Sequence, residues 1–162
     1  MKTYLENDAV VSSCGKYRYL LRRTWDYNKP RALLVMLNPS TADATVDDAT
    51  IRSCVRLLSG QGYGSMEVVN VYAFRATDPR ELAQQSNPFG VHNLNVVEAA
   101  IRRCDVVICA WGAYPPAVPH AAPILSAIRS QRPASYCFGK TKSGAPKHPL
   151  YIKSGTPLEV FN

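Results

Sequence analysis

The segment that decides the fold is RALLVML, residues 31–37, together with the polar segment NPSTADATVDD, residues 38–48, which follows it directly. RALLVML is a continuous apolar run without polar alternation, which is typical of a strand covered on both faces of its sheet. Such a strand belongs to a sheet that carries helices on both sides. The abrupt change to polar residues at Asn38 marks the carboxyl end of this strand.

The rest of the chain repeats this pattern of apolar strands and amphipathic segments. Further strands are predicted over 66–74, 105–111 and 134–139, and helical spacing of apolar residues predicts helices over about 51–58 and 91–104 and one that opens at Pro119. AVVSSCGKYRYLLRRTW (9–25) predicts a β-hairpin that turns at Gly15. The sequence therefore predicts one domain over 1–162, a three-layer α/β/α sandwich with a mainly parallel four-stranded central sheet plus an N-terminal β-hairpin.

Composition narrows the class of protein. Of the 162 residues 46% are apolar and 19% are charged, as in an ordinary globular domain. The five cysteines are dispersed without a CxxC pair, so we expect reduced thiols and neither a disulfide framework, a metal site nor a cofactor. The N-terminus lacks a continuous apolar signal segment and no apolar run is long enough to span a bilayer, which predicts a cytoplasmic protein without a membrane partner.

The charge balance favours a polyanionic partner. Nineteen Lys and Arg residues against twelve Asp and Glu residues give a formal net charge of +7. This excess is typical of proteins that bind nucleic acid, although a mildly basic soluble protein has the same balance. Lys140, Lys142 and Lys147 are the candidate contacts to a nucleic-acid backbone, and the alternative for them is a solvated face.

Position in the fold selects the candidate site. In sheets with parallel strands, ligands bind beyond the carboxyl ends of the strands. The residues that follow the predicted strands, and are therefore candidates for substrate binding, are Asn38, Ser40, Asn70, Tyr72, Phe74, Arg75 and Trp111.

The acidic half of segment 38–48 has an ordinary structural interpretation. Thr45 and Asp48 match a capping box, and this would place Asp47 and Asp48 in the first helical turn, at the positive end of the helix dipole. That interpretation accounts for neither Asn38 nor Asp43. These two residues are therefore the candidates for a role towards substrate, with a water, a sugar hydroxyl or a divalent ion as the group they hold.

Several motifs carry a resemblance to a known family. VMLNPSTADATVDDATIRSC (35–54), EVVNVYAFRATDP (67–79), AWGAY (110–114) and KHPLY (147–151) resemble the DUF1643 proteins of bacteria and phages, over about 17–161. More distantly, the same series is similar to the mismatch-specific and single-strand-selective branches of the uracil-DNA glycosylase superfamily. Their Gly-x-Asn-Pro motif matches residues 36–39, with Met36 in place of glycine, and their strand asparagine matches Asn70. Their His-Pro-Ser motif matches residues 148–150, with Leu150 in place of serine.

The more distant resemblance implies a glycosylase fold and specific roles. Asn70 would pair with a base edge, His148 would donate a hydrogen bond to the departing base, and Asn38 would position water, with Asp43 as an assisting base. The base would stack on Tyr72, Phe74 or Trp111. Leu150 departs from the motif, which puts probing of a duplex by an intercalating loop in doubt.

Three functions remain open from the sequence. The first is a DNA glycosylase or related N-glycosidic hydrolase that acts on an extruded or single-stranded base. The second is a non-catalytic nucleic-acid-binding module with a base pocket, and the third is an enzyme of free nucleosides or nucleotides. DNA is the expected partner in the first two cases, and we expect a monomer.

Overall fold

The sheet is built around the apolar strand formed by residues 31–36. A computed structural model describes residues 3–162. The strands are β1 (Glu6–Val11), β2 (Arg18–Thr24), β3 (Arg31–Met36), β4 (Ser65–Asn70), β5 (Val106–Cys109), β6 (Tyr136–Cys137) and β7 (Glu159–Val160). They form one sheet in the order β1-β2-β4-β3-β5-β6-β7.

The sheet is mixed, so the predicted four-stranded, mainly parallel sheet is wrong. β3 is parallel to β4 and β5, and β5 is parallel to β6. The pairs β1–β2, β2–β4 and β6–β7 are antiparallel. The hairpin of β1 and β2 is part of the sheet rather than an addition to it, because the free edge of β4 offers backbone groups that β2 satisfies.

Helices cover both faces of the sheet. They are α1 (Ala49–Gly60), α2 (Asn93–Arg103), α3 (Ala117–His120) and α4 (Ala122–Gln131), with 3₁₀ turns at Pro79–Gln84 and Pro149–Tyr151. Apolar residues of α1 pack with Leu34 and Val68 on one face of the sheet. Those of α2 and α4 pack with Val35 and Val69 on the other. Strand residues 34, 35 and 68, 69 face opposite ways because side chains alternate along a strand.

Two helix starts differ from the prediction. Asp48, not Thr45, is the N-cap of α1, since Asp48 Oδ1 accepts the N–H of Ile51 at 2.9 Å. Asp47 and Asp48 therefore precede the helix instead of lying in its first turn. The helix predicted to open at Pro119 is divided into α3, which contains Pro119, and α4.

Buried charges tie the elements together. Glu67 on β4 is fully buried, and its carboxylate receives Arg22 from β2, Arg31 from β3 and Arg103 from α2. Burial alone would raise the pKa of Glu67, but the hydrogen bond and charge of Arg103, together with Arg22, outweigh it and lower that pKa. The ionised carboxylate thus joins three strands and a helix.

The five cysteines are free thiols. Cys54, Cys104, Cys109 and Cys137 are buried, whereas Cys14 is exposed. None of the helices formed by residues 3–162 has the length and apolar character that crossing a bilayer requires.

Candidate ligand cleft at the strand ends

A small cleft lies where β3 and β4 end and α1 begins. Its volume is about 270 Å³, at the lower end of the range for small-molecule pockets. It brings together four of the residues predicted from sequence, namely Asn38, Ser40, Asn70 and His148. The same walls also contain Arg18, Asp48, Thr50 and Thr77. This is the site we select, because its polar groups have unused hydrogen-bonding capacity.

A larger groove of about 760 Å³ runs along the outer side of α1, between Tyr4 and Arg56. Its walls contain none of the predicted site residues. The groove is wide and mostly apolar, and the carboxylate in its wall, Asp47, is already bound to Arg23 and Tyr4. Volume alone therefore does not identify the candidate site.

Asn70 is the distinguishing residue of the cleft. It is the last residue of β4, in register with Met36 of β3, and only 1% of it is exposed. Within residues 3–162, neither Nδ2 nor Oδ1 of its side chain has a hydrogen-bond partner. A buried amide without partners costs about 1–3 kcal/mol. One donor and one acceptor are therefore available here to a ligand.

Asn38 is held in one orientation by its own strand end. Its Nδ2 donates to the carbonyl oxygens of Ala76 at 2.7 Å and Pro39 at 3.1 Å. Both partners are acceptors, so the amide nitrogen faces them and Oδ1 is the atom left for another donor. A fixed acceptor of this kind suits a water molecule or a hydroxyl group.

His148 reaches the cleft on the C-terminal loop. Its Nδ1 accepts the N–H of Leu150 at 3.2 Å, so a neutral ring carries its proton on Nε2 and can donate from there. Burial lowers the pKa of His148, against the opposing charge of Asp48, which favours that neutral ring.

Gly112 supplies a backbone turn beside this loop that favours glycine. It has a φ of +78°, and its N–H donates to the carbonyl of Pro146 at 2.8 Å. A Cβ at this position would lie 3.5 Å from Cβ of His148. A side chain here would be strained by its backbone conformation. The glycine after Trp111 thus helps to set the position of His148 over the strand ends.

The three carboxylates of the opening segment have three different environments. Asp43 Oδ1 accepts the N–H groups of Thr45 and Val46, both at 2.9 Å, and these bonds lower the pKa of Asp43. Asp47 binds Arg23, and only Asp48 lines the cleft. Across residues 3–162, no three or more His, Cys, Asp or Glu side chains are grouped so as to hold a metal ion. Asp43 organises its own loop and lies outside the cleft walls.

The aromatic candidates lie away from the cleft. Tyr72 is buried on the α2 side of the sheet, where its hydroxyl is 2.6 Å from His120 Nδ1. Trp111 is buried against Phe161, and Phe74 packs edge-on against Tyr17. As the described chain is folded, the walls of the cleft contain none of the three predicted stacking residues.

The remaining basic candidates lie around the cleft rather than in it. Arg75 is half-buried, and its Nε donates to the carbonyl of Ser40 at 3.4 Å. Lys140, Lys142 and Lys147 are exposed on the loop that leads into His148. The lysines thus lie on the chain segment next to the cleft, and their charges are open to solvent.

Two ionisable cleft residues were not among the predicted site residues. Arg18 interrupts the aromatic and apolar run YRYLL, and a charged residue at that place was a usable signal. Asp48 was predicted to lie in the first helical turn as the partner of Thr45 in a capping box, and it is instead the N-cap of α1. A capping residue also faces whatever lies in front of the helix, so the two roles do not exclude each other.

Comparison with known proteins gives one match. A family model described as "Protein of unknown function (DUF1643)" matches residues 18–150. No curated protein and no solved structure matches the chain.

Proposed function

The chain belongs to the DUF1643 family, and we propose that it is a hydrolase that recognises an extruded or single-stranded base in nucleic acid and cleaves its N-glycosidic bond. The observation that carries the proposal is the side-chain amide of Asn70, buried with both polar atoms unpartnered on the wall of the cleft. An amide pairs bidentately with a base edge that offers a donor beside an acceptor. The volume of about 270 Å³ suits one base with its sugar.

His148 supplies the group that a departing base requires. Cleavage leaves the electron pair of the glycosidic bond on the base, so negative charge develops on its ring carbonyl. The Nε2–H of neutral His148 donates a hydrogen bond to that oxygen. One donor placed in this way is worth about 10²–10³ in rate.

Asn38 and Asp48 act on the sugar side of the bond. Water held by Asn38 Oδ1 attacks the anomeric carbon, a carbon–oxygen bond forms as the carbon–nitrogen bond breaks, and the base leaves with the electron pair. The Asp48 carboxylate takes the proton of the water and stabilises the positive charge on the sugar. The base then takes up a proton from solvent.

The basic surface and the motif similarity support nucleic acid as the substrate. The net charge is +7, and Lys140, Lys142 and Lys147 are exposed on the chain segment that leads into His148. Cationic side chains at such a place bind the phosphates of a strand whose base enters the cleft. The order of the Asn38, Asn70 and His148 motifs is similar to that in the uracil-DNA glycosylase superfamily, which performs this reaction.

An oligonucleotide assay tests the proposal. The protein is incubated with single- and double-stranded oligonucleotides that carry uracil, hypoxanthine, xanthine or a hypermodified base, and abasic sites are then cleaved with alkali. We expect product from the wild type and a rate at least about 100-fold lower for His148→Ala and Asn38→Ala. Asn70→Ala should lose binding of the base.

Asn95→Ala is the matched control, because Asn95 is exposed on α2, outside the cleft. Its rate should equal that of the wild type. Salt-sensitive binding without abasic product would instead indicate a non-catalytic binding module. Turnover confined to free nucleosides or nucleotides would indicate the third function, and either result contradicts the proposed reaction on nucleic acid.

A further inference from the structure

Arg18 is a buried charge that the proposed reaction does not use. Only 3% of it is exposed, and it lines the cleft. Its Nη1 donates to the carbonyl of Ala42 at 2.9 Å, but in the described part of the chain its Nε has no partner and its guanidinium forms no ion pair. A buried cation without a contacting anion carries a large desolvation cost.

Arg23 shows which partners a buried arginine has in this protein when its role is structural. Arg23 is fully buried, like Arg18. Its guanidinium, however, forms an ion pair with Asp47 at 2.8 Å and donates to the carbonyl oxygens of Asp43 at 2.5 Å and Arg22 at 2.9 Å. Arg18 has only the bond to Ala42 within residues 3–162, so much of the hydrogen-bonding capacity of its guanidinium is unused.

Other donors converge on the same space. The hydroxyl groups of Ser40, Thr50 and Thr77 line the cleft, and none of them forms a hydrogen bond with another residue of 3–162. Helix α1 has 12 residues and begins here, with Thr50 in its first turn. A guanidinium, hydroxyl groups and the positive end of a helix dipole are the usual components of a phosphate site.

Asp48 does not satisfy Arg18. Its two carboxylate oxygens accept the N–H groups of Ile51 at 2.9 Å and Ala42 at 3.4 Å, and it forms no ion pair within the described chain. Burial, with the nearby charge of Arg75, lowers the pKa of Arg18 to about 10 against the effect of Asp48. The guanidinium therefore keeps its charge at neutral pH.

We propose that Arg18 binds a phosphate group of the substrate, so that the cleft takes a nucleoside phosphate rather than a bare base or nucleoside. The inference rests on the proposed function for the nucleoside part, which Asn70 would recognise. The phosphate is either the diester of a strand or the monoester of a free nucleotide. Both present the same oxygens to Arg18 and to the hydroxyl groups of Ser40, Thr50 and Thr77.

Calorimetric titration tests this assignment. Matched sets of nucleoside, nucleoside 5′-monophosphate, nucleoside 3′-monophosphate and dinucleotide are titrated into the wild type, Arg18→Gln, Arg18→Lys, Asn70→Ala and Arg129→Gln. Inorganic phosphate is titrated into the same proteins as a separate ligand. Arg129 is an exposed arginine of α4, on the opposite face of the sheet, and serves as the matched control.

We expect wild type and Arg129→Gln to bind one phosphorylated form at least about 10-fold more tightly than the nucleoside. Arg18→Gln should lose this preference and keep its nucleoside affinity, and Arg18→Lys should recover part of it. Preference for the dinucleotide indicates the diester of a strand, and preference for a monophosphate indicates a free nucleotide.

Equal wild-type affinity for nucleoside and phosphorylated forms would overturn the inference, as would an unchanged preference in folded Arg18→Gln. Failure of the proposed function has a different signature, since no nucleoside would then bind and Asn70→Ala would change nothing. In that case the titration with inorganic phosphate tests Arg18 by itself. Phosphate binding that is lost in Arg18→Gln supports a phosphate site at Arg18, and absence of phosphate binding to the wild type contradicts such a site.

Discussion

At the scale of single residues, the cleft is marked by unused hydrogen-bonding capacity rather than by residue type. Asn38 and Asn70 both lie at strand ends. The side-chain Nδ2 of Asn38 donates to two carbonyl groups, whereas neither polar side-chain atom of Asn70 has a hydrogen-bond partner within residues 3–162. Arg18 and Arg23 differ in the same way. Asn70 and Arg18 are therefore the buried residues with polar atoms that lack partners, and a ligand in the cleft would supply those partners.

Burial lowers the pKa of His148 in the folded chain, and the stability of the protein should therefore depend on pH through this residue. In the unfolded chain the pKa is about 6.5. Below that pH the unfolded chain binds a proton that the folded chain does not, so the free energy of unfolding falls as the pH falls. We expect denaturant titrations between pH 7.5 and 5 to show a smaller loss for His148→Gln than for the wild type.

The control for this prediction is His92→Gln, since His92 is exposed. It should lose as much stability as the wild type over the same range. If His148→Gln and the wild type have parallel pH profiles, His148 is not held as a neutral ring.

At the scale of elements, β4 connects the fold to the site. Glu67 in its middle binds arginines from β2, β3 and α2 on one side of the sheet. Met66 and Val68 pack with α1 on the other, and Asn70 ends the strand in the cleft. The backbone carbonyl of Asn70 also accepts Nδ2 of Asn93, the first residue of α2, at 2.8 Å. Helices on both faces thus fix the strand end.

Glu67→Gln tests the contribution of this ionic junction. The change removes the charge that three arginines share, and hydrogen bonds to charged groups are worth about 1.5–3 kcal/mol. We expect the free energy of unfolding at pH 7 to fall by about that amount in urea titrations. Because the pKa of Glu67 is lowered on folding, the difference should shrink as the pH falls below about 4.3.

Glu159→Gln is the matched control, because Glu159 is exposed on the edge strand β7. It should change the stability by less than about 0.5 kcal/mol. Equal stabilities of Glu67→Gln and the wild type at pH 7 would mean that the arginines are satisfied by solvent instead.

Across the molecule as a whole, some cationic side chains form ion pairs inside the fold and others are exposed to solvent. Three arginines of the sheet are paired with carboxylates, since Arg22 and Arg31 bind the buried Glu67 and Arg23 binds Asp47. Lys140, Lys142 and Lys147 are exposed on the chain segment that leads into His148. The net charge of +7 therefore includes a group of cations that no internal ion pair explains within residues 3–162.

Replacing Lys140, Lys142 and Lys147 together with Gln tests whether this group binds a phosphate backbone. Each phosphate contact contributes about 0.7–0.9 to the slope of log K against log salt concentration. We expect the triple variant to bind single-stranded DNA more weakly and to reduce the slope by about 2–3, measured by fluorescence anisotropy. A variant with Lys16, Lys29 and Arg129 changed to Gln removes as much charge elsewhere, and an equal reduction there would contradict a localised interface.

Local apolar patterns were enough to place the two central strands. The run at 31–37 contains β3, and the run at 66–74 overlaps β4 over residues 66–70, because largely apolar runs favour a strand that is covered on both faces. The positions of the predicted strands also indicated Asn38 and Asn70, since polar residues at the carboxyl ends of such strands lie at one edge of a sheet. His148 was indicated only by the motif resemblance.

The pairing of the strands and the polar groups left without partners depend on contacts between distant segments. Whether β2 joins β4 depends on backbone hydrogen bonds between distant segments, and local patterns do not encode these. Tyr72 and Trp111 follow strands just as Asn70 does, yet they pack into the core. Arg18 joins the cleft from a strand start far away in sequence. Whether a buried polar group finds a hydrogen-bond partner depends on all the residues packed around it. Those residues come from several segments of the chain, so no single segment specifies the outcome.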